Sequence, residues 1–431
     1  MEAGRPCTAG ERSGNLPSNL APSKRADTIS PMATVAELRP IAYDKSPARE
    51  AFSADPEFDL LLACCAAEPS ADRVRQMVSF PLDWERLLCL TDHHRVVPQL
   101  FGQVSAFSRL LPDNVLGALR SRYQENAHKA LWFTGELLRI LSCFESAGIK
   151  TLAYKGPVLA KALYGDVTER QYSDLDILVR PEDVPKAKAV ALAVGYACYP
   201  QLRSQEEPAY IASGCGYVFH TAAGRNLLDL QWRIVPRFYS IDFEVAHFLD
   251  RADRIVVGGH SVRTLCAVDL LLVLCVHAAK HVWLQLSWLC DIAQLAKSPH
   301  LDWTAVQTEA RRLGIERIVN LNLLLAHKLL GTPPHVAIAE RLVNDKSLNF
   351  FADEIRRISE RSTQYPTESI SYFRLMLRLR ERWQDRARFL SRLALTPSVS
   401  EWNAVHLPKS LQPMYRVVRL SRLAKRLAVS L

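Results

Sequence analysis

The stretch YKGPVLAKALYGDVTERQYSDLDILV, residues 154–179, decides the fold of this 431-residue chain. Just before it, IKTLAYKG (149–156) has the composition of a short strand that runs into a glycine turn. Pro157 suits the first turn of a helix, which we expect to continue to Tyr164. The segment YSDLDILV (172–179) alternates apolar residues with aspartates and predicts a second strand. The order of strand, turn, helix and strand predicts a core of the α+β class.

Further strands are predicted downstream at 217–221 and 227–234, joined as a hairpin by the tight connection AAGR. Between the two halves, Pro181 opens a helix that we expect to end near Gly195. Another strand pair is predicted around the glycine pair 258–259, which is a turn signal. The fold expected is a small mixed β-sheet flanked by mostly α-helical regions on both sides.

Three aspartates fall on the polar faces of two predicted strands. Successive side chains of a strand point to opposite faces, so the aliphatic residues of 174–179 face a core, whereas Asp174 and Asp176 face the other way. The same rule places Asp229 on the polar face of 227–234. If the two strands are neighbours in one sheet, three carboxylates converge.

Such a cluster is suited to a divalent cation. Mg²⁺ prefers oxygen ligands from a few carboxylates, and Mn²⁺ accepts the same ligands. Paired ions can hold the attacking and leaving oxygens of a phosphoryl transfer, whereas three carboxylates without a cation repel one another. We therefore predict a metal site at Asp174, Asp176 and Asp229. A lone Asp-x-Asp is also common at solvated strand edges and in turns, so the third aspartate carries much of this interpretation.

Residues 154–179 also resemble the uncharacterised bacterial nucleotidyltransferases of the DNA-polymerase-β-like superfamily. Their signature is Lys-Gly, a short helix ending in Leu-Tyr, an Arg, and then Asp-hydrophobic-Asp-hydrophobic-Leu-Val. The chain supplies it with Lys155, Gly156, Leu163, Tyr164, Arg170, Asp174, Asp176, Leu178 and Val179. The family's third-carboxylate strand, helical-domain motif and tail resemble LDLQWRI (228–234), LCVHAAKHVWLQLSWLCDIAQL (274–295) and residues 395–423.

This resemblance implies that a nucleoside monophosphate is transferred from an NTP to an acceptor, with release of pyrophosphate. By the resemblance, Asp174 and Asp176 bind both metals, while Asp229 holds the catalytic metal and helps to deprotonate the acceptor. Two departures stand out. Better-known members of the superfamily carry Gly-Ser at the Lys155–Gly156 turn, and Gln231 replaces the family's more usual His.

Lys155 and Arg170 flank the predicted metal site in the sequence, so we expect both to bind the triphosphate. Gly156 lets the backbone approach a ligand closely. Lys280 and His281, on a helix predicted to open at Asp269, are expected to line a cleft near the nucleotide or acceptor.

His277 and His281 are four residues apart and share a helix face. Zinc binding is disfavoured, because no glutamate follows the first histidine and no third ligand is apparent. A structural role remains an alternative to the cleft, in which the histidines pack against Trp283 and Trp288 and bond Asp291.

The charge of the chain is concentrated in its C-terminal region. From residue 353 onward there are sixteen Arg or Lys against seven Asp or Glu, which equals the net charge of +9 of the whole chain. This excess suits an anionic partner such as an NTP, a nucleic acid or an acidic surface. In one interpretation, a helix lies on an acidic membrane or partner with the basic row Arg374, Arg378, Arg382 and Arg386 beside the apolar row Tyr372, Leu375, Met376, Leu379 and Trp383. In the other, it is a solvated basic face beside a core stripe.

The remaining features are those of a folded protein that we expect to be cytoplasmic. No segment has the roughly 20 consecutive apolar residues of a membrane span, and the N-terminus lacks a secretory signal. The ten cysteines include no CxxC pair. The predicted organisation is a disordered extension (1–50, with Met32 as an alternative start), a helical region (51–147), a nucleotidyltransferase core (148–265), a helical domain (266–345) and a basic, mostly helical region (346–431).

The sequence leaves two alternatives to an active nucleotidyltransferase that modifies a small molecule. The chain is either an active enzyme or a catalytically degenerate module that keeps the scaffold for binding a nucleotide or a partner. A toxin-type enzyme that modifies RNA or protein would keep the chemistry and change the acceptor. We expect a small-molecule acceptor, although the sequence does not identify it.

Overall fold

A mixed sheet of five strands carries Asp176 and Asp229. The computed structural model describes residues 55–221, 226–361 and 369–429. The strands, in chain order, are β1 Thr151–Ala153, β2 Leu175–Val179, β3 Ala197–Tyr199, β4 Gly216–His220 and β5 Asn226–Gln231. Their order in the sheet is β1-β2-β5-β4-β3. Strands β2 and β5 are parallel, and every other neighbouring pair is antiparallel. A separate antiparallel pair consists of β6 Asp253–Val257 and β7 His260–Thr264.

Helices surround this sheet, as the sequence predicts for the α+β class. The first group, up to the sheet, is α1 Pro56–Cys64, α2 Ala71–Val78, α3 Trp84–His94, α4 Val97–Val104 and α5 Asp113–Ser146. Between the strands lie α6 Gly156–Tyr164, α7 Val184–Ala193, α8 Glu207–Ser213 and α9 Val245–Asp250. After the sheet come α10 Ala267–Lys280, α11 Leu286–Ala296, α12 Trp303–Leu313, α13 Glu316–Leu330, α14 Val336–Asn344 and α15 Lys346–Arg361. The last group is α16 Ile370–Arg378, α17 Trp383–Leu395, α18 Val399–Ala404 and α19 Tyr415–Val429.

Strand β2 is buried on both of its faces. Leu175, Ile177 and Val179 pack into one hydrophobic cluster together with helix α5, whereas Leu178 packs into a second cluster with helices α10 and α13. The alternation read from the sequence therefore assigns the faces of this strand correctly. The polar face is covered as well, because the helices after the sheet pack beside it. A carboxylate on this face lies in a cleft that helices wall in.

The structure also departs from the sequence-based expectations around β5. The strand ends at Gln231 instead of 234, and Ile234 packs into the other hydrophobic cluster, away from Leu228 and Leu230. Strand β3 and helix α8 were not predicted, because a three-residue strand and a seven-residue helix carry too little periodic signal. The AAGR connection and the predicted N-terminal extension lie outside the described residues.

The basic row of the C-terminal region does not belong to one helix. Helix α16 ends at Arg378, and α17 starts only at Trp383. Tyr372, Leu375, Met376 and Leu379 are buried as an apolar row, whereas Trp383 is 74% exposed. The break rotates Trp383 out of the row to which the sequence assigned it.

Within the described parts of the chain, no helix is both long and apolar enough to cross a membrane.

Candidate active site

Asp176 and Asp229 lie opposite each other on the two parallel strands at the centre of the sheet. Asp176 in β2 is the register partner of Asp229 in β5. In-register residues of neighbouring strands project from the same face, so both carboxylates enter the same cleft. Asp174 lies just before β2, which begins at Leu175. Sheet pairing thus brings together the two strands whose carboxylates the sequence predicted to converge.

The charges of these aspartates act on one another. Burial raises the pKa of Asp174, and the charge of Asp176 adds to the increase. Burial likewise raises the pKa of Asp229 to about 7, and both Asp176 and Asp174 contribute. Lys155 and Lys280 oppose this increase in the pKa of Asp229 without cancelling it. Burial thus disfavours the charged forms of Asp174 and Asp229, and the neighbouring carboxylates add to this effect.

Asp176 is the best-held of the three carboxylates. It is only 4% exposed. Its Oδ1 atom accepts from Lys155 Nζ at 3.1 Å and from Gln231 Nε2 at 3.1 Å, and the Tyr154 hydroxyl lies at 3.5 Å. An ammonium and an amide thus donate to one oxygen of this carboxylate, and the phenol of Tyr154 lies close to the same oxygen.

Gln231 links Tyr154 to Asp176. The Tyr154 hydroxyl donates to Gln231 Oε1 at 2.7 Å, while Gln231 Nε2 donates to Asp176. Burial and the three aspartate charges raise the pKa of Tyr154 well above its ordinary value, so its hydroxyl stays protonated as a donor. The amide group accepts a hydrogen bond through its oxygen and donates one through its nitrogen at the same time. Gln231 therefore has a positioning role here, which the sequence did not reveal.

Lys155 connects the sheet to helix α10. Its Nζ atom lies 3.3 Å from Nδ1 of His277. Burial and the charges of Lys155, His281 and Lys280 lower the pKa of His277 well below its ordinary value, and burial does the same for His281. The His277 ring is therefore neutral, and its Nδ1 can accept from the ammonium.

The two histidines also pack against an aromatic ring, as the structural alternative expected. The centroids of His277 and His281 lie 4.7 Å apart, and Trp288 lies 5.2 Å and 5.3 Å from them. Their predicted bond to Asp291 is not made, because Arg170 and Tyr164 bind that carboxylate. His277 thus packs against Trp288 and also contacts Lys155, whereas His281 packs against Trp288.

Arg170, which the sequence predicted to bind the triphosphate, pairs with Asp291 in the structure. Its Nε and Nη2 atoms donate to both oxygens of Asp291 at 2.9–3.0 Å, and the Tyr164 hydroxyl donates to the same carboxylate at 3.0 Å. Burial alone would lower the pKa of Arg170, but Asp291 raises it above its ordinary value. With its side chain only 8% exposed, Arg170 ties the β2 loop to helix α11 and does not reach toward a triphosphate.

Arg95 is a cation that sequence analysis missed. It ends helix α3 in a left-handed conformation with φ 54°, and its Nη1 atom lies 3.4 Å from the Ser173 hydroxyl. Burial lowers the pKa of Arg95, while Asp174 raises it. In the described parts of the chain no carboxylate bonds its guanidinium. Only three-dimensional packing brings Arg95 beside residues 173–174, so no local motif could have indicated it.

The turn after helix α10 is strained. Val282 and Trp283 have φ values of 54° and 52°, which non-glycine residues rarely adopt. Trp283 Nε1 donates to Asn322 Oδ1 at 2.7 Å, and the Ser359 hydroxyl donates to the Trp283 carbonyl at 3.3 Å. These bonds hold the turn directly behind Lys280, whose charge acts on Asp229.

Gly156 allows a close backbone approach, although the partner shown is the protein itself. Its φ is +55°, and a Cβ atom at this position would lie 3.2 Å from the Asp174 carbonyl oxygen. Both features favour glycine. The turn that carries Lys155 is thereby seated against the start of β2.

The donor chemistry of the cleft fits a divalent cation, but the side chains are not gathered around one. Across residues 55–221, 226–361 and 369–429, no three His, Cys, Asp or Glu side chains lie close enough to hold a metal. The predicted tight trio is therefore not formed in this arrangement. Lys155 provides the physical reason, because its ammonium pairs with Asp176 and relieves part of the repulsion a metal would otherwise relieve.

The fold and the site define a class: an α+β nucleotidyltransferase-type domain with carboxylates on two adjacent parallel strands beside a Lys-Gly turn. Comparison with known proteins agrees with this class. The chain belongs to a family of uncharacterised nucleotidyltransferases, whose family model matches residues 81–331.

Individual relatives add little to this assignment. A solution structure of the antibiotic-resistance factor ANT(2'')-Ia, which has a substrate-regulated conformation dynamics, shares 15% identity with this chain over 52% of it and 96% of that protein, with a TM-score of 0.26. A likeness of that extent carries no argument about function. Among curated proteins, none matches the chain.

Proposed function

We propose that this protein transfers a nucleoside monophosphate from an NTP to an acceptor and releases pyrophosphate, in a reaction that depends on Mg²⁺ or Mn²⁺. One observation carries the proposal: Asp176 and Asp229 lie in register on adjacent parallel strands, so that two largely buried carboxylates meet at one place in the protein. Such a pair suits a ligand that arrives with cations. Membership of the nucleotidyltransferase family supports the same general reaction.

In this reaction an acceptor oxygen attacks the α-phosphorus of the NTP. A new oxygen–phosphorus bond forms while the bond from the α-phosphorus to the bridging oxygen of the β-phosphate breaks, and pyrophosphate leaves with that electron pair. The acceptor proton passes to a carboxylate, for which we propose Asp229 because it is less buried than Asp176.

Asp174, Asp176 and Asp229 are the residues that would hold the divalent cations. When bound, these ions would neutralise charge on the triphosphate and on the leaving pyrophosphate. If Asp176 turns its Oδ1 atom toward a cation, Lys155 would be released toward the phosphates. The geometry therefore suits a site whose lysine exchanges one anionic partner for another.

Three cations are placed to bind the phosphates. Lys155 stands at the Lys-Gly turn, Lys280 acts on Asp229 from the end of α10, and Arg95 stands beside residues 173–174. Arg95 takes the place that sequence analysis gave to Arg170. Positioning and charge neutralisation of this kind supply most of the catalysis in phosphoryl transfer.

The acceptor is proposed to be a small molecule, and an RNA or protein acceptor is an outcome of the same experiment. The full-length protein is incubated with each α-labelled NTP, Mg²⁺ or Mn²⁺ and a cell extract. Mass spectrometry then identifies the species that gained a nucleotide, and pyrophosphate release gives the rate.

The variants Asp176→Asn and Asp229→Asn are expected to lose at least about 10²-fold in rate, as when a group that stabilises transition-state charge is removed. Asp253→Asn is the matched control, because Asp253 is exposed on β6 and carries no bond within the described residues. Calorimetry of Mn²⁺ and NTP binding gives a second measurement that does not depend on turnover. NTP binding without transfer to any acceptor would favour a degenerate binding module instead.

A further inference from the structure

The exposed sides of two C-terminal helices combine basic and apolar side chains. On α17, Trp383 and Leu390 are seven residues apart, so they share a helix face, and they are 74% and 50% exposed. On α19, Val417 and Leu420 are 52% and 45% exposed, next to the exposed Arg416. Together with Lys425, these six residues form what we call the basic-apolar surface.

This surface differs from the solvent side of an ordinary amphipathic helix because it carries large apolar side chains. The opposite sides of both helices are already packed, because Phe389 and Leu393 of α17 and Tyr415 of α19 are buried. The two helices pack on each other as well. Eight of the seventeen large hydrophobic side chains that are exposed in the described residues fall within 383–420. An apolar concentration of this kind marks an interaction site more often than chance exposure does.

The positive charge of the region has no exposed negative counterpart. Residues 382–425 contain nine Arg or Lys and two Asp or Glu. Asp385 is only 9% exposed and bonds Arg382 Nε at 2.6 Å, while Glu401 is 1% exposed and pairs with Arg419 and Arg422 at 3.4 Å and 3.2 Å. Both acids are therefore spent inside the structure. The outer side of the region is left with cations alone.

We propose that the basic-apolar surface docks this protein on an anionic lipid bilayer. A helix lying in a membrane interface needs aliphatic and tryptophan side chains that enter the acyl boundary, and flanking cations that meet the acidic headgroups. Trp383, Leu390, Val417 and Leu420 supply the first, and Arg416 and Lys425 supply the second. RNA fits less well, because non-specific strands require several exposed aromatic rings for base stacking, and Trp383 is the only exposed aromatic side chain described in this region.

Docking of this kind would hold the nucleotidyltransferase at a membrane surface without a membrane span. It is independent of the proposed reaction, because none of the six residues belongs to the cleft. The acceptor could then be presented from the bilayer or from solution.

The test measures binding of the full-length protein to sedimented vesicles. One set contains phosphatidylcholine alone, and the other contains phosphatidylcholine with phosphatidylglycerol. We expect binding to the anionic vesicles only, weakened by added salt. The double variants Trp383→Ala with Leu390→Ala, and Arg416→Ala with Lys425→Ala, are each expected to lower the partition coefficient about tenfold or more.

Helix α5 offers matched controls. Leu131 and Trp132 are 60% and 54% exposed, and Arg120 and Lys129 are exposed on the same helix. Leu131→Ala with Trp132→Ala, and Arg120→Ala with Lys129→Ala, remove the same residue types and the same charge and should leave binding unchanged. Thermal unfolding checks that every variant is folded. The proposal is overturned if the wild type binds neither vesicle, if only the α5 variants lose binding, or if the protein binds labelled RNA and not lipid.

Discussion

Asp291 and Asp176 are both buried acids beside the same sheet, yet their surroundings treat the charge in opposite ways. Asp291 is 0% exposed, and Arg170 donates to both of its oxygens while Tyr164 adds a third donor. Asp176 is 4% exposed and shares its surroundings with two further aspartates, for which Lys155 is the one directly bonded cation among the described residues. The charge of Asp291 is neutralised by its own donors, whereas Asp176 lies among carboxylates of like charge.

This difference separates a structural charge from a functional one. A buried ion pair with complete hydrogen bonding stabilises the arrangement around it only as long as both partners are present. An uncompensated carboxylate cluster costs stability in the empty protein and becomes favourable when cations arrive. Both sites contain buried carboxylates, so burial alone does not distinguish them. The hydrogen-bond and charge partners of each carboxylate distinguish the structural site from the functional one.

The largest effect is expected from breaking the balanced acid. Asp291→Ala leaves the Arg170 guanidinium buried without its partner, which typically costs about 3–5 kcal/mol in the free energy of unfolding. Urea denaturation followed by tryptophan fluorescence measures the loss.

The double variant Arg170→Met with Asp291→Leu serves as the control, because it removes both charges and keeps the volume. It should be more stable than Asp291→Ala, since apolar replacement of a buried pair is often neutral. If the double variant is at least as destabilised as the single one, the loss comes from packing and not from an unpaired charge.

In the cluster of Asp174, Asp176 and Asp229, removal of a charge is expected to stabilise the protein instead. Burial and two neighbouring carboxylates raise the pKa of Asp229 to about 7 from an ordinary 3.8. Between these values the folded protein holds a proton that the unfolded chain has released, so stability falls as the pH rises through this window. In metal-free protein at about pH 8, Asp229→Asn should therefore raise the free energy of unfolding by about 2–3 kcal/mol, because a shift of about 3 pKa units corresponds to at most about 4 kcal/mol and solvent screens part of the charge of this partly exposed side chain.

The pH dependence checks the cause. At about pH 4 the wild type is protonated at this position in the folded state, so the gain of Asp229→Asn should vanish there. Asp253→Asn, which changes an exposed aspartate, should show no difference at either pH. A gain that is the same at both pH values would show that the repulsion is not its source.

The sequence predicted the strand faces of Asp176 and Asp229 because a period of two is a local property of the chain, whereas Asp174 lies just before β2. It also located the Lys-Gly turn, since Gly156 is required both by its positive φ and by the approach to Asp174. It did not find Arg95 or the pairing of Arg170 with Asp291, because the partners are 78 and 121 residues away in the chain. The pairing of Lys155 with Asp176 was equally invisible, since a spacing of 21 residues says nothing about which lysine will balance which acid.

The smallest effect is expected at Gln231, where the two environments meet through a neutral amide. Gln231→Leu leaves the Tyr154 hydroxyl without its 2.7 Å acceptor and Asp176 without one of its donors. The loss of one such bond is expected to cost about 1 kcal/mol in stability. The rate of transfer should fall more than the binding of the NTP weakens, because Asp176 is displaced while the phosphate-binding cations remain. Gln231→His is the informative partner variant, since a histidine can still accept from Tyr154 but titrates at about 6.5. Its rate should acquire one more pH step than the wild type, whose own step is expected from Asp229, and a wild-type profile with the same number of steps would show that Gln231 does not set it.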